Sequence, residues 1–337
     1  PSVPTRSSGQ RALCRFWRNL TLETTVVPSL YDQGFKKGPL SEITIASDMN
    51  LCLPERNLRF PRRSLLMGIV NVNDDSFSGD GTLDATEALD QACLQVAAGA
   101  DIVDIGAESA RTNRAAISVE EECERLRGVL GKWKEALARM QPRDSEQVWP
   151  PVLSVNTWRP EVIKVALELG GELINDMSGL PDDENARLAA DYGAALLVMH
   201  TAGPPKEERT GQQWEDIMGE LERFFGEKMN LATSAGLSGD HLVLDPGIDF
   251  AKQRADNLLL IRELGRLHQF NRPILLPVSR KTVIGDVLGL EDPVARDAGT
   301  IGLLAAGMAG GAQIFRVHNV DAAWQAVKVL AAVKAAG

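Results

Sequence analysis

Along this chain one pattern of hydrophobic and polar positions recurs eight times: a short apolar run rich in branched residues, closed by a polar side chain. The runs cover 66–71, 101–104, 152–156, 173–175, 194–200, 241–245, 273–281 and 312–318. Each gap between them holds a stretch with helical periodicity, and one more such stretch follows the last run. Strand then helix, eight times over, predicts an α/β protein, a (β/α)8 TIM barrel. In that fold the carboxyl ends of the strands share one mouth, where active sites are built. The polar terminators Asn71, Asp104, Asn156, Asn175, His200, Asp245, Lys281, Arg316 and His318 are therefore expected to converge.

The intervening helices are legible in the same way. Residues 85–98 place Ala88, Cys93, Leu94 and Ala97 toward one face. Residues 119–140 follow Ser118 with Glu121 three positions on, the spacing of a capping box. Residues 159–169 carry Pro160 in the first turn, where a missing N–H costs little. Residues 218–235 and 256–270 alternate charged and apolar faces at helical period. Residues 295–310 are mostly Ala, Gly and Leu, which predicts close packing against neighbouring strands or a partner chain.

The pattern divides the chain into a barrel domain, 49–337, and an N-terminal extension, 1–48, read as flexible. Residues 49–64 are expected to close the bottom of the barrel. About 270 of the 337 residues carry the repeat, close to the roughly 250 typical of one such domain. A net charge of −10 argues against a nucleic-acid surface, which needs a basic face. No apolar run approaches the roughly 20 residues of a membrane span. The four cysteines form no CxxC pair and read as reduced thiols of a cytoplasmic protein.

Chemistry gathers at the strand ends. The loop 71–78 follows the first run with Asn and Asp oxygens at short spacing, a donor set that suits Mg²⁺ bridging to phosphate. By itself it reads equally well as a turn leading to a helix capped by Asp84. The sixth run ends Asp245-Pro246-Gly247, setting a carboxylate behind a rigid proline where it can pair with a flat amidine-like group. Asn175 adds an amide able both to donate and to accept. Arg280, Lys281, Arg316 and His318 make a cationic corner near strands seven and eight, where many barrels hold phosphate. Together these predict a planar nitrogen-rich heterocycle carrying a phosphate-bearing arm, and group transfer with a phosphate or pyrophosphate leaving.

At this point the motifs resemble a family. Met67-Gly-Ile-Val-Asn-Val followed by Asp75-Ser-Phe-Ser, Ala100-Asp-Ile-Val-Asp-Ile-Gly-Ala-Glu-Ser-Ala-Arg111, Ile174-Asn-Asp-Met-Ser-Gly, Val198-Met-His, Leu244-Asp-Pro-Gly-Ile, Val278-Ser-Arg-Lys-Thr-Val-Ile-Gly and Arg316-Val-His are similar to those of dihydropteroate synthases, in the same order. The resemblance implies condensation of 6-hydroxymethyl-7,8-dihydropterin diphosphate with p-aminobenzoate, giving 7,8-dihydropteroate and pyrophosphate in folate biosynthesis. It implies that Asp104, Asn156, Asn175, Met199, Asp245, Phe250 and Lys281 hold the pterin. Asn71, Arg316 and His318 would hold the diphosphate, with Mg²⁺ at Asn71, and Ser279 and Arg111 would meet the p-aminobenzoate. Asp245, Lys281 and Arg111 are the catalytic assignments, and a homodimer through the late helices is implied.

Three positions depart from the family's pattern. The first loop reads Asn71-Val-Asn-Asp-Asp-Ser where Asn-Val-Thr-Pro-Asp-Ser is usual, and the second reads Ser109-Ala-Arg-Thr-Asn where Ser-Thr-Arg-Pro-Gly is usual. Strand three reads Ser154-Val-Asn-Thr, with Asn156 in place of an aspartate. Two other readings share this barrel: a pterin-dependent methyltransferase, and a pterin-binding paralogue with altered catalysis.

Overall fold

Near-continuous apolar runs build the barrel strands, which are buried on both faces. The computed structural model describes residues 48–73, 81–108, 115–207, 209 and 211–336; the predicted extension 1–48 lies almost wholly outside them. An antiparallel hairpin, β1 (Met49–Cys52) and β2 (Asn57–Phe60), precedes eight parallel strands. These are β3 (Leu65–Asn71), β4 (Ile102–Gly106), β5 (Val152–Asn156), β6 (Leu173–Asp176), β7 (Ala195–Met199), β8 (Leu242–Asp245), β9 (Leu275–Leu276) and β10 (Ile314–Val317). Their order around the sheet is β8-β7-β6-β5-β4-β3-β10-β9. A single parallel bridge, Leu244 with Ile274, joins the two ends and closes the barrel.

The pleat sorts each strand onto two faces. Leu66, Val103, Leu153, Val155, Ile174, Leu196, Leu242 and Phe315 face out and pack under the helices. Leu65, Met67, Ile102, Val152, Leu173, Leu197, Val243, Leu275 and Ile314 face in and fill the barrel. Hairpin residues Met49, Leu51, Leu58 and Phe60 join that inner cluster, so the segment before strand one plugs the bottom as expected. Arg56 fastens the plug, with Nε and one Nη donating to Glu172 at 3.0 and 2.9 Å.

The helices are α1 (Ala85–Ala97), α2 (Val119–Leu137), α3 (Pro160–Glu168), α4 (Glu184–Tyr192), α5 (Ile217–Ser234), α6 (Arg254–Arg262), α7 (Thr282–Leu288), α8 (Asp297–Ala309) and α9 (Val320–Ala335). Ser118 caps α2 by accepting from the Glu121 N–H, and Pro160 opens α3. In α1 the buried stripe is Ala88, Ala92 and Val96, while Leu94 is 69% exposed. The buried face is thus rotated from the expected one, and β3 meets the helix at Gly68, where a Cβ would lie 2.9 Å from that of Gln95. The run 273–281 contributes only two strand residues, since Pro277 has no N–H for a ladder. The chain then turns through Arg280 (φ +57°) into α7. The predicted helix 256–270 divides into α6 and a 3₁₀ segment, Leu264–Phe270.

None of the described helices is long and apolar enough to cross a membrane. Leu51 is 1% exposed at the centre of the plug. Leu51→Ala is expected to cost about 2–5 kcal/mol of unfolding free energy, read by chemical denaturation, with the far-UV spectrum unchanged.

Candidate active site

On the inner face, β3, β4, β5, β6, β8 and β10 change from apolar at their starts to polar toward their ends, while β7 ends in Met199. Asn71, Gly106, Asn156 and Asn175 stand side by side across β3, β4, β5 and β6 in the ladder register. Gly106 sits where a Cβ would come 3.2 Å from that of Asn156. One position below, Asp104 is fully buried and collects three donors. The Ser154 hydroxyl donates to Oδ1 at 2.6 Å, and Asn175 Nδ2 and Arg316 Nε donate to Oδ2 at 2.9 and 2.7 Å. Four strands are thereby tied at one carboxylate. Asn156 is buried, and its Nδ2 has no hydrogen-bond partner among the described residues. Its partner has to come from whatever occupies the mouth.

The segment after β8 builds the opposite wall. Asp245 is 4% exposed and accepts the Gly247 N–H at 2.7 Å. Asp249, in the left-handed region (φ +68°), accepts the Thr282 and Val283 N–H groups at 2.5 and 3.3 Å, capping α7 from outside that helix. Lys281 immediately precedes that helix. Its ammonium donates to the Ile248 carbonyl at 2.9 Å and lies 5.0 Å from the centre of the Phe250 ring. Met199 lies inside the barrel, paired in register with Asp245, and Phe250 packs against the same inner cluster.

Burial sets the protonation chemistry here. Desolvation lifts the Asp245 carboxyl to about 6, against the opposing pull of the Gly247 N–H and the charges of Lys281, Lys252 and Arg316. The Lys281 ammonium is likewise lowered by burial, with Asp249 and Asp245 pulling it back up. A carboxylate poised near neutrality beside two buried amines marks a functional site.

On the third side, the Ser279 hydroxyl lies 2.7 Å from His318 Nδ1 and accepts the His318 N–H at 3.1 Å. Two expected members of the cluster are elsewhere. Arg280 turns to α8, where Asp297 takes its Nε and Nη at 2.7 and 3.2 Å. That leaves Lys281, Arg316 and His318 of the predicted cationic corner. His200 has the outward parity of Leu196 and Val198, and its ring stacks edge-on with Trp214 and Phe224. Arg111 and the first-loop residues 74–80 lie outside the described residues.

Of the proposed metal loop 71–78, residues 71–73 are described, with Asn71 the assigned ligand, and no group of three or more His, Cys, Asp or Glu is placed to hold a metal among the described residues. A single amide oxygen fits Mg²⁺ held mainly by substrate phosphate and water, not a protein-built cage. Two residues escaped the sequence reading. Ser154 was findable, sharing the inward parity of Asn156 two positions on. Lys252, 8% exposed beneath the Asp245 segment, carried no signal beyond being a lysine after a turn.

A (β/α)8 barrel whose mouth joins buried carboxylates and amides to a cationic wall has the make-up of an enzyme. Comparison gives that enzyme its family. The sequence profile described as "Pterin binding enzyme" matches residues 67–318, and the chain belongs to that family. Dihydropteroate synthase of Escherichia coli strain K12 is 36% identical over 272 residues, 80% of this chain and 92% of that protein. Dihydropteroate synthase of Synechocystis is 35% identical over 270 residues, 80% of this chain and 89% of that protein. Among solved structures, Yersinia pestis dihydropteroate synthase in a sulfonamide complex superposes with a TM-score of 0.76 at 33% identity, covering 85% of this chain and 100% of that one. The Thermus thermophilus enzyme in complex with 4-aminobenzoate gives 0.71 at 35%, covering 84% and 99%.

Gly247 has φ +69°, and a Cβ there would lie 2.1 Å from the His200 carbonyl oxygen. Gly247→Ala is expected to cost more than the roughly 1–2 kcal/mol of left-handed strain alone, seen as a lowered melting temperature.

Proposed function

We propose that this chain is a transferase that joins 6-hydroxymethyl-7,8-dihydropterin diphosphate to p-aminobenzoate, releasing pyrophosphate. The observation that carries the reading is the pairing of a buried, proton-poised Asp245 with Lys281 at a mouth that also holds Asn156 and Asn175. Asp245 accepts from the amino-pyrimidine edge of the pterin, Asn175 bonds the ring, and Met199 and Phe250 cover its faces. Asp104 acts through others: it fixes the Asn175 amide and holds Arg316 by Nε, which leaves the outer guanidinium nitrogens for the diphosphate with His318. Ser279 and Arg111 meet the aminobenzoate.

In the reaction the amine lone pair of p-aminobenzoate forms a C–N bond to the pterin methylene as the C–O bond to diphosphate breaks. Pyrophosphate leaves with that electron pair, and the anilinium proton passes to solvent. Positive charge develops on the pterin methylene, and fixed acceptors such as Asp245 stabilise it more than they stabilise the ground state. Asn71 would hold Mg²⁺ together with the substrate, and the ion would supply charge neutralisation to the leaving diphosphate.

The same reading extends to assembly and compartment. Only Thr300, Leu304 and Gly307 of α8 are buried although the helix is almost wholly apolar, and Val287, Leu288 and Val294 beside it are 48–51% exposed. A face of that kind supports a homodimer through the late helices. The described cysteines, Cys52, Cys93 and Cys123, are free, which supports a reducing, cytoplasmic setting. Residues 49–337 constitute the catalytic domain and 1–48 a separate extension.

Pyrophosphate release is expected to require both substrates and Mg²⁺, with dihydropteroate seen by mass spectrometry; release without p-aminobenzoate overturns the reading. Asp245→Asn is expected to lower kcat at least about 100-fold. Since ionised Asp245 is the required form and its carboxyl sits at about 6, kcat/KM should climb as pH rises through about 6 and level off above it. Asn156→Asp restores a carboxylate beside the developing cation and should raise kcat, by roughly five- to a hundredfold for 1–3 kcal/mol of added stabilisation.

A further inference from the structure

Lys252 is buried, and of the residues assigned to substrate its ammonium touches only Phe250, at the main-chain carbonyl. Its ammonium has three N–H groups and three acceptors around it: His200 Nδ1 at 2.8 Å, the Gly247 carbonyl at 2.9 Å and the Phe250 carbonyl at 3.1 Å. The two carbonyls belong to the segment that carries Asp245, Ile248, Asp249 and Phe250. The histidine belongs to the end of the neighbouring strand. One side chain thus gathers the whole Asp245–Lys252 turn onto β7.

The chemistry of His200 fits a receiving role. To accept from the ammonium its Nδ1 must be bare, so the ring proton sits on Nε2, which points toward Glu220 Oε1 at 3.7 Å. Burial and the charge of Lys252 hold the ring neutral, with its pKa pressed down to about 2. The turn is also held by Lys281 at the Ile248 carbonyl, Asn257 at the Asp249 N–H and Trp214 at the Ala251 carbonyl, while Lys252 is the side chain that joins its Gly247 and Phe250 carbonyls to His200. Gly247, Asp249 and Ala251 all have positive φ, at +69°, +68° and +50°, a conformation that L-residues adopt only when the surroundings impose it.

We infer that Lys252, seated on neutral His200, is a positioning residue for the transfer reaction: it holds the turn that aims the Asp245 carboxylate and the Phe250 ring at the pterin. The inference deepens the proposed function and rests on it. Its second consequence is electrostatic. Asp245 faces three cations: Lys252 of its own segment, Lys281 preceding α7 and Arg316 of β10. Lys252 in turn faces Asp245, Asp249, Asp256, Lys281 and the neutral His200. Removing Lys252 leaves Asp245 with two cations, and its carboxyl rises further.

The test is Lys252→Met beside the unaltered enzyme, with folding checked by thermal melting. The expected result is a tenfold or greater rise in KM for the pterin diphosphate, a KM for p-aminobenzoate within threefold, and an acid limb of kcat/KM moved to higher pH. A folded variant with the acid limb and pterin diphosphate KM unchanged overturns the inference, as does an equal loss for both substrates. Should the variant not fold, His200→Asn and His200→Leu make the comparison, since asparagine offers the ammonium a carbonyl oxygen and leucine offers nothing. The asparagine variant is expected to keep the pterin diphosphate KM within threefold and the leucine variant to raise it tenfold; equal values overturn the inference. Calorimetric binding of the pterin diphosphate to the same proteins separates this outcome from failure of the functional reading. If the unaltered protein releases no pyrophosphate, the proposed reaction falls, while a weakened binding by Lys252→Met still tests the clamp.

Discussion

Everything at the mouth depends on the pleat register of parallel strands in a closed barrel. Because side chains alternate strictly, Ile102 inside the barrel commits Asp104 to the inside as well, and Ile314 commits Arg316. A slip by one residue on any strand would send its polar terminator under a helix. The register is defended from both sides, by an apolar interior plugged with the β1–β2 hairpin and by an apolar outer ring beneath the helices. His200 illustrates the rule by its position. One residue beyond Met199, it takes the opposite face and serves the scaffold through Lys252.

Within that frame the polar groups divide into two layers. Asp104 accepts from Ser154, Asn175 and Arg316, so its charge orients neighbours. Asp245 accepts the Gly247 N–H and keeps capacity for a further donor. A buried, satisfied network is rigid, and rigidity is what lets donors and acceptors meet a transition state without reorganisation. The turn after β8 extends this economy: within eight residues it supplies Asp245, a carbonyl for Lys281, the cap of α7, the Phe250 ring and Lys252.

Asn156 is the position where this chain differs most pointedly from the family pattern. Its amide is buried with an N–H unmatched among the described residues, so the substitution has not been absorbed by a new internal bond. The charge balance around the site shifts with it. Asp104 pairs with Arg316, and Asp245 faces Lys252 and Lys281, so a missing carboxylate leaves the mouth relatively cationic.

The barrel, its eight strand positions and most polar terminators were legible in the amino-acid sequence, because apolar runs of strand length and strand-end polarity are local properties that survive any global arrangement. Ser118 and Pro160 were legible as helix starts for the same reason. Only the tertiary structure decided which terminators share the mouth. Arg280 and His200 look identical in the sequence to Lys281 and His318, yet a left-handed turn and strand parity send them to Asp297 and Lys252. The buried stripe of α1, Ala88, Ala92 and Val96, likewise emerges only when the helix packs on the barrel. Lys252 was invisible for the plainest reason: its three acceptors come from a histidine 52 residues upstream and from two main-chain carbonyls, and only folding brings these together around one ammonium.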